Sequence, residues 1–247
     1  MIKFERVSVM NWENAIRGAR NPMNSWEKSD SRFGCKDCEG CYYEPLNNTI
    51  EVDGTEAHWC DFTGLHIGTN DLALLMRLRN AGTDHRKFMR QIFVSVDITA
   101  PLYWWKEFDT YKVGTAANSC STMHRLTHKP FEVSDFSHEH LYGESMMLLE
   151  SIIHYLNVCR DSFVLTKDRH LPANYIKQEW WQMIQLLPSS YNQLRTVTLN
   201  YEVLANMYAA RKEHKLDEWR DLCEWIKTLP YHKLITGEDE AHEDNSG

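Results

Sequence analysis

The sequence predicts an α+β fold in which helices supply most of the packing surface. Three observations carry that expectation: helical apolar spacing dominates the second half, "RQIFVSVDI" near the middle is β-branched and alternating, and "IKFERVSVM" alternates at the start.

The chain has 247 residues and 43% hydrophobic content, ample for a buried core. It carries no internal repeat and no Gly/Ser- or Pro-rich linker, so one domain over residues 1–236 is expected. The segment "GEDEAHEDNSG", residues 237–247, is acidic with almost nothing to bury, and it is expected to be a disordered tail. A formal charge of −8 argues against a nonspecific nucleic-acid binder, which needs a basic face to displace counterions from phosphates. No stretch approaches the roughly 20 apolar residues of a membrane span, and the first twenty residues lack the plan of a secretory signal. No membrane partner and a cytoplasmic location are therefore expected.

The elements follow in order. "IKFERVSVM" reads as a strand, and "NWENAIRGAR" as a short helix with Asn11 placed to cap it. Residues 30–69 have weak periodicity and read as a loop or small inserted element. "TNDLALLMRLRNAG" is a helix capped by Thr or Asn, with Leu72, Leu75, Met76 and Leu78 on its apolar side and Gly82 ending it. "RQIFVSVDI", residues 90–98, reads as a central strand, and Pro101 suits the first turn of a helix through "PLYWWKEF". Residues 144–159 form an amphipathic helix, and "NYIKQEWWQMIQLLP" another that Pro188 stops. "TVTLNYEVLANMYAARK" and "KLDEWRDLCEWIKTLP" read as two more.

Several constellations could carry chemistry. On a continuous helix Asn200 and Arg211, eleven residues apart, share nearly one face about 16 Å apart. A nucleotide or cofactor could use both ends, with Arg211 pairing a phosphate, or Asn200 could cap a neighbour while Arg211 is solvated. In "EFDTYKVGTAANSCSTMHRL" (107–126), Lys112 and Gly114 precede Thr115, Asn118, Ser119 and Ser121. Small residues, hydroxyls and a lysine suit a phosphate, although no GxxxxGK[ST] or GxGxxG is present, and a plain polar loop from helix to strand is the alternative.

Seven cysteines without a secretion signal favour metal ligands or buried thiols over a disulfide framework. "CKDCEGCYYEP" places Cys35, Cys38 and Cys41 at three-residue intervals, with His58 and Cys60 beyond. Cys35, Cys38, Cys41 and Cys60 could close a zinc site; part of an iron-sulfur run or free surface thiols are the alternatives. His138 and His140 read as loop residues, and Cys120 as a bystander thiol.

Read in order, "NAIRGAR", the unit "LALLMRLRNAGTDHRKFMRQIFVSVDITAPLYWWKEF" and "LLPSSYNQLRTVTLNYEVLANMYAARKEHKLDEWRDLCEWI" resemble the flavin-dependent thymidylate synthase family. Roughly two-thirds of the chain follows that plan. The resemblance implies a central, mostly antiparallel sheet packed with long helices, with a Cys-rich insert at about 33–62. It departs at the family signature R-H-R-x-x-S-x-N-E-x-S-x-R-Y, where "TYK" stands in place of R-H-R. By position, cofactor contacts fall to Arg90, Lys112, Asn118, Ser121 and Asn200. Substrate contacts fall to Glu107, Thr115, Arg125, Arg211 and Glu218. No catalytic residue is assigned.

What the resemblance implies chemically is transfer of a one-carbon unit from methylenetetrahydrofolate to C5 of dUMP. FAD recharged by NADPH would be the hydride carrier, in a homotetramer. Two other readings remain open: a divergent relative acting on another pyrimidine nucleotide, and a non-catalytic nucleotide-binding or scaffold protein that keeps the fold.

Overall fold

The computed structural model describes residues 2–32, 49–52, 55–58, 66–121, 126–170 and 172–237. Strand β1 (Lys3–Met10) and helix α1 (Trp12–Arg20) come first, followed by a hairpin of β2 (Thr49–Val52) and β3 (Thr55–His58) and by helix α2 (Thr69–Asn80). Strand β4 (Phe93–Pro101) leads into helix α3 (Leu102–Phe108), and a short strand β5 (Ala116–Ser119) follows. Two long helices, α4 (Glu144–Asp168) and α5 (Ala173–Leu186), precede strand β6 (Asn192–Asn200). That strand runs without a break into α6 (Tyr201–Arg211), and α7 (Asp217–Ile226) and α8 (Lys233–Thr236) complete the order.

Four strands form one antiparallel sheet in the order β1-β4-β6-β5. The α+β class and the antiparallel sheet expected above are both present. Strand β4 sits inside the sheet because its alternate residues Val94, Val96, Ile98 and Ala100 all face a core, each at most 1% exposed. Helix α3 packs back over the sheet, burying Trp104, Trp105 and Phe108 beside Trp219 of α7 and Leu204 of α6. A second apolar cluster joins Leu149, Ile153 and Leu156 of α4 to Met183 of α5 and to Phe131 and Phe136.

Several local expectations are corrected. "TVTLN" is strand, not the start of a helix: Thr196, Val197 and Thr198 are β-branched, and the ladder from Phe93↔Asn200 to Pro101↔Asn192 uses the whole segment. Pro101 closes β4 and occupies the N-cap position of α3 with extended backbone, ψ 151°. β4 begins at Phe93 because Lys87–Gln91 form a 3-10 turn. Helix α4 continues to Asp168, nine residues beyond the expected end.

The expected caps also differ. Asn11 adopts the left-handed conformation, φ 72°, and its side chain donates to the Gln91 carbonyl at 2.8 Å and accepts from the Asn14 side chain at 2.6 Å rather than capping a backbone N–H of its helix. Gly68 is the N-cap residue of α2, and the orphan N–H groups of Asn70 and Asp71 donate to the Asp30 carboxylate at 2.9 and 3.0 Å. Among the described residues no helix is long and apolar enough to cross a membrane.

Candidate functional site

The sheet register places the polar run that follows α3. Trp105 donates its indole N–H to the Gln193 carbonyl at 3.0 Å, and Asp109 meets Arg195 at 2.7 Å, so the chain leaving α3 returns along β6. Strand β5 then pairs Ala116 with Thr198 and Ser119 with Arg195. The loop 109–115 thus lies against α6, meeting that helix near both ends.

At the C-terminal end of α6, Arg211 donates from Nη1 to Glu107 Oε2 at 2.8 Å and from Nε to the Tyr111 hydroxyl at 3.0 Å. Its guanidinium lies 4.5 Å from the Trp219 ring, and Trp219 Nε1 donates to the same Glu107 oxygen at 2.9 Å. His214 Nε2 approaches that oxygen to 3.6 Å. Two aromatic faces and one carboxylate therefore fix the orientation of this arginine.

At the N-terminal end of α6, Asn200 is buried and accepts the Val203 N–H at 3.0 Å, which makes it the helix cap. Gly114 sits directly over it: a Cβ there would fall 2.8 Å from Asn200 Nδ2 and 3.2 Å from Val203 Cγ2. With φ +78°, the position favours glycine twice, by backbone and by space. The expected single helix carrying both Asn200 and Arg211 is corrected: Asn200 ends β6 and caps α6, and the two residues adjoin the loop 109–115 from opposite ends of that helix.

Beside this loop lies a cleft of about 340 Å³ lined by Phe108, Asp109, Tyr111, Lys112, Thr115 and Ala117. Lys112 is exposed, whereas the Thr115 hydroxyl is buried with no hydrogen-bond partner among the described residues. A lysine at the rim suits an anionic ligand, and the Asp109 carboxylate that also lines the cleft is paired with Arg195.

The remaining sequence-derived positions spread outward from this centre. Asn118 is exposed on β5 opposite Thr196, and Ser121 follows the strand, also exposed. Arg90 is exposed in the turn that enters β4 at the Asn200 end of the sheet. Glu218 is buried and accepts the Tyr103 hydroxyl; burial, and then Glu218 itself, push that phenol far above its ordinary range. Arg125, Cys35, Cys38, Cys41 and Cys60 lie outside the described residues, as does the tail beyond Gly237. Among the described residues no group of three or more His, Cys, Asp or Glu side chains could hold a metal ion.

Two residues absent from the sequence-derived set, Tyr111 and Trp219, hold Arg211 in place. The signal was present: Tyr111 lies in the "TYK" expected at the family motif, and Trp219 is the neighbour of Glu218.

No protein-family model and no curated protein matches the sequence. Solved structures do match. Helicobacter pylori ThyX, crystallised with FAD and dUMP, superposes over 96% of this chain and 98% of its own at TM-score 0.60 and 15% identity. The chain has the flavin-dependent thymidylate synthase fold. A UMP/dUMP methylase, PolB from Streptomyces cacaoi bound with 5-Br UMP, covers 96% of this chain at TM-score 0.51 and 11% identity. Within this fold, the loop 109–115 is the segment that meets both ends of α6.

Proposed function

We propose that the protein binds a pyrimidine nucleotide beside the Arg211 cluster and acts as a flavin-dependent thymidylate synthase-like enzyme, methylating C5 of dUMP. The observation that supports this most is the cleft at loop 109–115. Of the polar residues aligned with ligand positions, Lys112 and Thr115 line it, and Glu107 with Arg211 adjoin it through Tyr111, in a chain with the synthase fold.

FAD, when bound, would supply hydride chemistry, with NADPH as its reductant and methylenetetrahydrofolate as one-carbon donor. What supports a phosphate-bearing group here is an exposed lysine, Lys112, lining the cleft together with Thr115. Lys112, Thr115, Asn118 and Ser121 would hold phosphates of cofactor or nucleotide, with Arg90 and Arg125 beyond them. Arg211, oriented by Tyr111 and Trp219, would hold the nucleotide. Asn200 fixes the loop through Gly114, and Glu218 braces α3 through Tyr103. The protein's share is to bind and orient.

The same proposal includes a cytoplasmic setting and a homotetramer. Leu148, Tyr155, Val158 and Leu165, at heptad-like spacing on α4, are 63%, 49%, 49% and 49% exposed and leave an apolar stripe for a second copy. Sedimentation of the purified protein as a monomer would remove that part. Zinc on Cys35, Cys38, Cys41 and Cys60 rests on donor chemistry alone, and metal analysis of chelator-free protein tests it.

A second reading takes another pyrimidine nucleotide, UMP included, as substrate. The likeness to the UMP/dUMP methylase and the replacement of R-H-R by "TYK" favour it. The test is a visible spectrum with and without added FAD, joined to melting temperatures with dUMP and UMP. Flavin uptake with stabilisation by dUMP supports the first reading. A colourless protein stabilised by UMP alone moves the assignment to the second, and no response to any ligand removes both.

A further inference from the structure

Arg211 already holds an anion of its own chain. Its Nη1 donates to Glu107 Oε2 at 2.8 Å, while its other supports, the Tyr111 hydroxyl and the Trp219 ring, are neutral. Those two would keep the guanidinium in place without the carboxylate. Glu107 is held through Oε2, which meets Arg211 Nη1, the Trp219 indole N–H and His214 Nε2. It lies in the last turn of α3, where the helix dipole disfavours a negative charge, and its side chain is 37% exposed. Both oxygens can therefore reach water once they leave the pair. The adjoining cleft shares Tyr111 with this cluster and is lined by Lys112 and Thr115 as well.

An anion in that cleft lies beside Tyr111, whose hydroxyl Arg211 donates to, one residue's width from the donors that Glu107 uses. We propose that Glu107 is an internal occupant of the Arg211 anion site, displaced by an incoming phosphate-bearing ligand, so that Glu107 sets which anions the site accepts. A phosphate dianion, helped by Lys112, competes with a carboxylate for a guanidinium; a weak monoanion does not. The identity of the ligand as a pyrimidine nucleotide rests on the reading under Proposed function. The exchange itself needs only an anion.

The consequence is specific to this residue. A glutamine at position 107 keeps the shape of the side chain and removes its charge, so the guanidinium is left for ligands. The Trp219 indole N–H, which donates to the same Oε2 at 2.9 Å, reports the departure of the carboxylate directly.

The experiment measures binding of inorganic pyrophosphate and of dUMP to the wild-type chain and to Glu107→Gln by calorimetry. In parallel, the Trp219 indole 15N–H resonance, assigned through Trp219→Phe, is followed. Pyrophosphate should bind Glu107→Gln on the order of tenfold more tightly than wild type, and saturating ligand should move the wild-type Trp219 signal. Equal or weaker pyrophosphate binding in Glu107→Gln overturns the exchange; weaker dUMP binding would make Glu107 a ligand contact instead. If dUMP binds wild type but neither ligand gains in the variant, the exchange fails and the nucleotide reading stands. If pyrophosphate gains while dUMP binds neither protein, the nucleotide reading fails and the exchange stands. Should Glu107→Gln not fold cooperatively, Glu107→Asp, which retracts the carboxylate by one methylene, must show a gain of the same sign.

Discussion

Arg20 and Asp71 form an ion pair at 2.6 Å with side chains only 5% and 0% exposed. The second Asp71 oxygen accepts from the Ser29 and Ser31 hydroxyls and from the backbone N–H of Asp30 and Ser31. Arg20 donates its remaining nitrogens to the Ser25 and Lys28 carbonyls. One pair thus ties α1, residues 25–31 and α2 together. Asp71→Ala should cost about 3–5 kcal/mol in urea unfolding, because it leaves a buried guanidinium unpaired. Arg20→Met with Asp71→Leu should cost less than that single change, since no charge then stays buried.

The same carboxylate makes stability depend on acid. Burial alone would raise the Asp71 pKa, but the Ser31 and Ser29 hydroxyls and Arg20 outweigh it and hold the carboxyl below its ordinary 3.8. A depressed folded pKa stabilises the folded state above the unfolded value, and that contribution is lost as pH falls through the folded value. Melting temperature should therefore fall below about pH 3.8, and the fall should be shallower in the Arg20→Met, Asp71→Leu chain. Equal acid slopes in both chains would place the sensitivity elsewhere.

Tyr103 is the hydrogen-bond donor to Glu218 inside the α3–α7 contact. Tyr103→Phe leaves a carboxylate that is 8% exposed without this donor, and unfolding should become easier by about 1–3 kcal/mol. Tyr103→Phe together with Glu218→Leu should recover part of the loss. Failure of the double change to recover anything would mean that Glu218 is satisfied by another group.

Much of the fold was legible because it rests on local periodicity. The alternation of Val94, Val96 and Ile98 marked the inner strand, and apolar spacing marked α2 and α4. What stayed hidden depends on distant partners. Asp30 caps a helix forty residues ahead, and "TVTLN" continues smoothly into a helical pattern, so only its ladder with β4 shows it to be strand. At the candidate site, spacing joined Asn200 to Arg211, yet it could not show that a carboxylate and two aromatic rings from three segments meet on the arginine. Glu218 pairs with Tyr103 while its neighbour Trp219, about 100° further round the helix, meets Arg211, a division of labour that spacing alone does not show.

Lys112 lines the cleft while remaining exposed, so its ammonium adds little to folding. Lys112→Ala should leave the melting temperature within about 1 °C of wild type and weaken nucleotide or flavin binding by about 1.5–3 kcal/mol, the range for a charge-assisted contact. Lys112→Arg should restore most of that affinity. Unchanged affinity in Lys112→Ala would move the phosphate away from this rim.

Gly114 and Asn200 test whether the loop and the cap of α6 act as one unit. Asn200→Ala removes the acceptor of the Val203 N–H and should cost about 1 kcal/mol. Gly114→Ala forces a side chain onto φ +78° and sets its Cβ 2.8 Å from Asn200 Nδ2, so it carries two penalties, one of backbone and one of contact. The backbone part, roughly 1–2 kcal/mol, persists whatever faces it. The contact part depends on the Asn200 amide and disappears when that amide is gone. The double change should therefore cost less than the sum of the singles by at least about 0.5 kcal/mol, measured as a coupling energy from denaturant unfolding. Strict additivity would show that the Asn200 side chain yields to the new methyl group without losing its bond to Val203, and the loop would then be free to move independently of the helix it clasps.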